Sequence, residues 1–168
     1  GTINMNANAG ANTVKLDGDI FVTSEGKVNL GLANEYSYLK GIVDNGGIAN
    51  VTLKNGAVWT NEANNKRYIQ DNEDVGYGGN SRVTNLQGAD TLANAGTIVQ
   101  DAEGYIRIDN LDGAVNVVYR HEEENPTNIL GGSVTIAKAT EGSQIGMYTD
   151  SVGITVTDDA QVKDVLNK

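Results

Sequence analysis

Apolar residues recur along the chain as short dyads whose members stand one residue apart. They are Val14/Leu16, Ile20/Val22, Val28/Leu30, Val51/Leu53, Ile106/Ile108, Val115/Val117, Val134/Ile136, Ile145/Met147 and Ile154/Val156. A period of two turns alternate side chains to one face, so each dyad predicts a half-buried β-strand of roughly 3–6 residues. β-Branched residues dominate these positions, as a pleated surface favours. No stretch before Thr157 sustains a helical period over three turns, and the expected fold class is all-β. Between the dyads lie Asp17-Gly18, Glu25-Gly26, Asn45-Gly46-Gly47, Asn55-Gly56, Asp112-Gly113, Gly131-Gly132 and Glu141-Gly142. Gly and Asn tolerate the left-handed conformations of tight corners.

Strands this short, each followed by a Gly or Asn corner, predict a right-handed parallel β-helix (a solenoid) rather than a sandwich, whose strands run longer. An immunoglobulin-like β-sandwich is the alternative. In a solenoid three strands make one rung, and rungs stack ~4.8 Å apart. Val28 to Val51 and Val83 to Ile106 are each separated by 23 residues, while Ile106 to Val134 spans 28 and Val115 to Ile145 spans 30. The longer intervals share an insertion at 120–129, and a second polar stretch covers 61–81. About six to seven rungs are expected, a rod roughly 30 Å long. Residues 1–156 read as this β-helix segment. Residues 157–168 read as the start of a C-terminal helix: Thr157 can cap, Asp158 and Asp159 suit the positive end of the dipole, and Val162, Val165 and Leu166 share a face. That helix is expected to be truncated, as in a piece of a longer protein.

Composition explains why the core must be thin. Of 168 residues, 21 are Gly and 21 Asn, whereas aromatic residues make up 5%. The absence of Cys excludes disulfides and thiolate metal sites. A net charge of −10 repels phosphate backbones and argues against nucleic-acid partners. No apolar run reaches the ~20 residues of a membrane-spanning helix, so the segment itself is not expected to span a membrane.

The run Asn50-Val51-Thr52-Leu53-Lys54-Asn55-Gly56-Ala57-Val58-Trp59-Thr60 resembles a rung of autotransporter (type V secretion) passenger domains. Thr91-Leu92-Ala93-Asn94-Ala95-Gly96-Thr97-Ile98 is similar to a second. Ile106 to Gly113, continuing through Val118-Tyr119-Arg120-His121 into Gly131-Gly132-Ser133-Val134-Thr135-Ile136, is similar to a third. Together these resemble haemagglutinin-like adhesins of Gram-negative bacteria, over roughly residues 40–168. In such a rung Asn55 and Gly56 would make the corner, Ala57 would allow close approach and Trp59 would cover a ladder. The resemblance implies a cell-surface adhesin segment, extracellular and anchored through its parent at the outer membrane. It implies a structural stalk that presents loops for adhesion to a host or bacterial surface glycan or protein. The segment is expected to act as a monomer.

Candidate chemistry is sparse. His121, the only histidine, precedes Glu122, Glu123 and Glu124, a sequence expected to form a solvated loop. Carboxylates that could serve a hydrolase are Asp44, Asp71, Glu73, Asp74, Asp101, Glu103 and Asp109, since glycoside hydrolysis needs two facing acids. Adjacent rungs could pair Asp74 with Asp101, so a polysaccharide-active hydrolase or lyase segment is the alternative function, although no enzyme activity and no catalytic residue is predicted. Asp17-Gly18-Asp19 and Asp71 to Asp74 offer oxygen ligands for calcium but match no established loop. No cofactor or metal site is expected. Tyr36 and Tyr38 share strand parity and read equally as an exposed pair or an inward dyad. Tyr68 and Tyr77, beside Lys66 and Arg67, are the expected ligand contacts, because Tyr offers a large amphipathic contact surface.

Overall fold

The computed structural model describes residues 1–62, 80–100, 104–122, 124, 125, 128 and 132–148, together with the backbone of 68–70, 73–75, 129, 130 and 149. In chain order the strands begin with β1 (Thr2–Met5), β2 (Lys15–Asp17) and β3 (Ile20–Val22). β4 (Lys27–Leu32), β5 (Tyr38–Lys40) and β6 (Val43–Asn45) follow, then β7 (Ile48–Leu53) and β8 (Val58–Asn61). Among the described residues, β9 (Tyr68–Gln70) and β10 (Glu73–Val75) pair only with each other, antiparallel. Next come β11 (Ser81–Gln87), β12 (Gly96–Gln100), β13 (Ile106–Asp112) and β14 (Ala114–His121). β15 (Ile129–Leu130), β16 (Val134–Ala139) and β17 (Gln144–Thr149) close the series. Among the described residues the only helical element is a three-residue 3₁₀ turn at Leu92–Asn94.

The chain is all-β, as the dyads predict, and its long ladders are parallel. One sheet has the order β1-β4-β7-β11-β13-β16. A second runs β15-β14-β12-β8-β5-β2, with β17 also beside β14. β3 and β6 form a third, short parallel pair. Neighbours within a sheet are therefore distant in sequence, which is compatible with a β-helix. An immunoglobulin-like sandwich has antiparallel sheets instead.

Inward positions line up between strands. In the first sheet Met5, Leu30, Val51, Leu86 and Leu111 stand in one register. In the second, Leu16, Leu39, Trp59, Ile98, Val117 and Met147 do the same. Leu39, Trp59 and Ile98 are wholly buried. The Trp59 indole Nε1 donates to the Gly41 carbonyl oxygen at 2.9 Å, which satisfies the one polar group that the ring takes into the core. Gly41 must be small: a Cβ there would run into the Gly18 carbonyl beneath it. Asn55 and Gly56 adopt φ of 54° and 78°, so the corner after β7 uses two consecutive left-handed residues. The Asn55 amide also donates to the Ala33 carbonyl at 3.0 Å, tying the corner to the one before it.

Outside the apolar core runs a polar ladder. Asn4, Asn29, Asn50, Asn85 and Asn110 occupy one register of the first sheet. Each of the last four donates its Nδ2 to the Oδ1 of the asparagine before it, at 2.7, 2.8, 2.7 and 3.0 Å. Identical amides stacked at strand spacing can each donate one way and accept the other, which is why such a column closes.

β11 and β13 change face midway. Val83 and Leu86 are both buried with two residues between them, as are Ile108 and Leu111. The break falls at Thr84 and Asp109. Before it the strand lies against β6: the Val43 amide donates to Ser81 Oγ at 2.9 Å, and Asn45 Nδ2 donates to Thr84 Oγ1 at 3.1 Å. After it the strand joins the first sheet. The first halves of β11, β13 and β16 thus extend the strip begun by β3 and β6.

Three sequence expectations need correction. Val28 pairs with Ala49, not Val51, and Val83 pairs with Ile108, not Ile106. A slip of two residues leaves every side chain on its own face, so apolar alternation alone does not fix it. Ile145 and Met147 stand over Val115 and Val117 but are 44% and 39% exposed, because among the described residues β17 is an outermost strand of its sheet. The insertion after β14 is no open loop from residue 120: Arg120 and His121 pair antiparallel with Leu130 and Ile129. The proposed helix at 157–168 lies outside the described residues.

Candidate functional site

One corner of the fold differs from the rest. At the end of the second-sheet strands the chain turns toward the β3–β6 strip, and early in the sequence it does so tightly, through Gly18-Asp19 after β2 and Gly41-Ile42 after β5. Asp19 stiffens this tight form by accepting the Ile42 amide at 3.0 Å. The next three crossings at the same corner are longer: 62–80 after β8, 101–105 after β12 and 122–133 after β14. β8, β12 and β14 are adjacent in the sheet, so the three excursions start side by side.

A buried polar network anchors their base. Ser81 Oγ donates to Asn61 Oδ1 at 2.6 Å, and Asn61 Nδ2 donates to Gln100 Oε1 at 2.8 Å. Gln100 Nε2 reaches the Gly104 and Gly132 carbonyls, both at 3.2 Å. Asn61 and Gln100 are fully buried and Ser81 nearly so. Such groups are costly to bury unpaired, and here each is paired across the exits of the excursions. The third excursion also has internal order: the Glu122 amide donates to the Asn128 carbonyl at 2.9 Å, and Asn128 Nδ2 donates to Glu122 Oε2 at 2.8 Å. In sequence the three excursions hold nine Asp and Glu against two Lys and Arg, so most of the net charge of −10 belongs to this corner.

Where the first two excursions return, they border a groove of about 320 Å³ on the third strip, lined by Asp44, Asn80, Arg82, Tyr105 and Arg107 among others. Arg82 and Arg107 are in register on β11 and β13. Both are held by Asp109: Arg82 donates from Nη2 at 2.8 Å and Nε at 3.2 Å, and Arg107 from Nε at 2.9 Å. The Arg82 hydrogen bonds, helped by the one from Arg107, hold the Asp109 carboxyl below its usual range against the opposing effect of partial burial. Asn80 Oδ1 accepts the Tyr105 amide at 3.1 Å and so fixes the rim.

The expected contact residues fall elsewhere. Lys66, Arg67 and Tyr77 lie outside the described residues. Tyr68 begins β9, where only the backbone is described. All four belong to the first excursion. Tyr36 and Tyr38 both face outward, 66% and 37% exposed, since Leu39 between Tyr38 and Lys40 is the inward residue of β5. Tyr36 borders a separate shallow hollow of about 520 Å³, and hydrogen bonding to the neighbouring Glu35 raises its phenol above the usual value. His121 belongs to β14 rather than to a loop.

Of the candidate acids, Asp71, Asp101 and Glu103 lie outside the described residues, which leaves the Asp74–Asp101 pairing there too. Glu73 and Asp74 are in β10. Asp44 is exposed on β6. Asp109, clamped by two guanidiniums, is held as the carboxylate and is poorly suited to donate a proton. Among the described residues no three His, Asp or Glu converge as a metal site would require. None of their helices is long and apolar enough to cross a membrane.

Reading dyads passed over Arg82, Tyr105 and Arg107, although a signal exists. Ser81-Arg82-Val83-Thr84-Asn85-Leu86 and Ile106-Arg107-Ile108-Asp109-Asn110-Leu111 share an Arg, a β-branched residue and an Asn-Leu pair at equal spacing. No family model, curated protein or solved structure matches the chain.

Proposed function

We propose that the chain is a stalk segment of a cell-surface adhesin: a right-handed parallel β-helix of about six rungs that carries binding excursions at one corner. In this reading the three sheets are the faces of the helix, and the parallel crossovers take the hand that parallel strand connections almost always take. The observation that carries the functional part is the contrast between corners. A fold that closes the same corner twice with two residues, and then opens it three times on adjacent strands, keeps its stabilising ladders while varying what it displays. The anchoring network of Ser81, Asn61 and Gln100 supports the same reading, because it holds the exits fixed whatever the excursions contain.

The resemblance of Asn50 to Thr60 and of the segments after it to autotransporter passenger rungs supports a stalk that works outside the cell, at the surface of a Gram-negative bacterium. Its partner would be a glycan or protein on a host or bacterial cell, and no chemical step is assigned to it. The test is saturable binding of fluorescently labelled chain to epithelial cells and to bacterial cells. Dose-dependent, saturable attachment to either is expected. Attachment to neither, with the chain folded, would overturn the adhesive reading.

A further inference from the structure

We propose that the groove bordered by Arg82, Arg107 and Tyr105 is a binding site for a carboxylated sugar, with the paired guanidiniums receiving the carboxylate. Parallel neighbours stand ~4.8 Å apart, so two arginines in register present their planar forks side by side. Asp109 takes two N–H groups from Arg82 and one from Arg107, whereas each guanidinium carries five. The side chains are 47% and 55% exposed, so donors remain for a ligand. Their positions are set in advance by a carboxylate that is itself only 18% exposed. Pre-positioned arginines suit a planar carboxylate, which can accept two parallel hydrogen bonds.

The other walls say what bears that carboxylate. Tyr105 is half exposed on the rim and offers a ring face. Asn80 spends its oxygen on the Tyr105 amide and keeps its NH₂ as a donor. Asp44 adds an acceptor. A donor and an acceptor around an aromatic platform match a polyhydroxylated ring, whose hydroxyls need both. At about 320 Å³ the groove sits at the small end of ligand sites, which span ~300–1,000 Å³, and suits a unit of sugar size. Asp44 on the wall and the chain's charge of −10 disfavour a polyphosphate or polysulfate, which packs more negative charge into each unit of length than a sugar with one carboxylate per ring.

This inference goes beyond the adhesive reading and does not rest on it: a chain that attaches to no cell can still bind the sugar, and the reverse. The test is an NMR titration of the whole chain with trigalacturonate, its methyl ester, a neutral galactose trisaccharide and a glutamate tripeptide. Trigalacturonate is expected to shift the amides of Arg82, Tyr105 and Arg107 and the arginine Nε–H signals. The ester is expected to bind about tenfold more weakly or worse, having lost its charge-assisted hydrogen bonds. R82Q and R107Q should each weaken trigalacturonate by about tenfold, while Tyr105→Ala loses the ring contact and weakens it too. R82Q and R107Q each loosen the partly exposed clamp on Asp109 and should melt slightly below the parent but with the same cooperativity, which a melting curve checks, so that weakened binding is read on folded chain. Equal affinity for acid and ester, unchanged affinity in both arginine variants, or no response at millimolar trigalacturonate would overturn the proposal. Tighter binding of the glutamate peptide would overturn the sugar assignment.

Discussion

At the residue scale, the asparagine column separates what the sequence displays from what a hydrophobicity reading sees. In Asn4, Asn29, Asn50, Asn85 and Asn110 the amide stands directly before the inward apolar residue of its strand. The repeat is legible once apolar positions are aligned, but period-two analysis scores it merely as outward polar. Asn50 sits inside the column and makes two amide contacts, whereas Asn4 at its end makes one. Asn50→Ala should therefore destabilise by ~1–3 kcal/mol and Asn4→Ala by less than about 1.5 kcal/mol, since a hydrogen bond contributes ~0.5–1.5 kcal/mol. Urea unfolding measures both, and equal losses would deny the column a role. Trp59, wholly buried between Leu39 and Ile98, should cost ~3–5 kcal/mol on replacement by Ala. An unchanged midpoint would contradict its place in the core.

Asp109 adds a pH dependence of known sign. Its carboxyl is held below the usual value of 3.8, so it contributes stability at neutral pH. That contribution begins to fade as pH drops below the unfolded value and is lost through the lower folded one. Asp109→Asn should flatten the acid limb of the stability curve and leave the alkaline limb alone. Tyr119 acts at the other end: burial raises its phenol above 10.0, partly offset by hydrogen bonding at Val134. Its contribution is complete below pH 10.0 and is lost as pH climbs through the folded value, so Tyr119→Phe should improve alkaline tolerance.

At the scale of elements, the dyads located eight strands (β2, β3, β4, β7, β13, β14, β16 and β17), about half of those described, but not their lateral register. Val28 faces Ala49 because β4 and β7 run six residues in step, and the dyads tolerate any even slip. The bends at Thr84 and Asp109 were likewise hidden, since two outward residues in a row read as a strand end rather than a change of face. The hairpin of β14 and β15 was concealed for another reason: its acidic tip looks like a free loop, although Glu122 and Asn128 close it with two hydrogen bonds. Replacing residues 123–127 by a two-residue Asn-Gly turn should keep the parent melting temperature within a few degrees, because the stacked ladders lie elsewhere. Loss of cooperative unfolding would mean that the hairpin belongs to the core. Gly41→Ala, by contrast, should destabilise, as its Cβ meets the Gly18 carbonyl and disturbs the acceptor of Trp59.

At the scale of the molecule, stability and display occupy different parts of the chain. The ladders of Leu, Val, Ile and Asn run the length of the sheets, while the acidic excursions gather at one corner. Sequence alone made the division between ladders and polar stretches legible, because composition changes abruptly at 61–81 and 120–129. It could not show that the excursions share a corner, since that depends on which strands become neighbours. Arg82 and Arg107, 25 residues apart, are aligned only by the pattern their two segments share, which apolar dyads do not score. The most direct measurement compares the parent with a chain in which residues 62–80 are replaced by a tight Gly-Asp corner like that after β2, both tested on a glycan and matrix-protein array. The account predicts that both fold with similar β-sheet spectra, that the parent binds, and that the shortened chain loses that binding. Unchanged binding by the shortened chain would contradict it, as would its failure to fold.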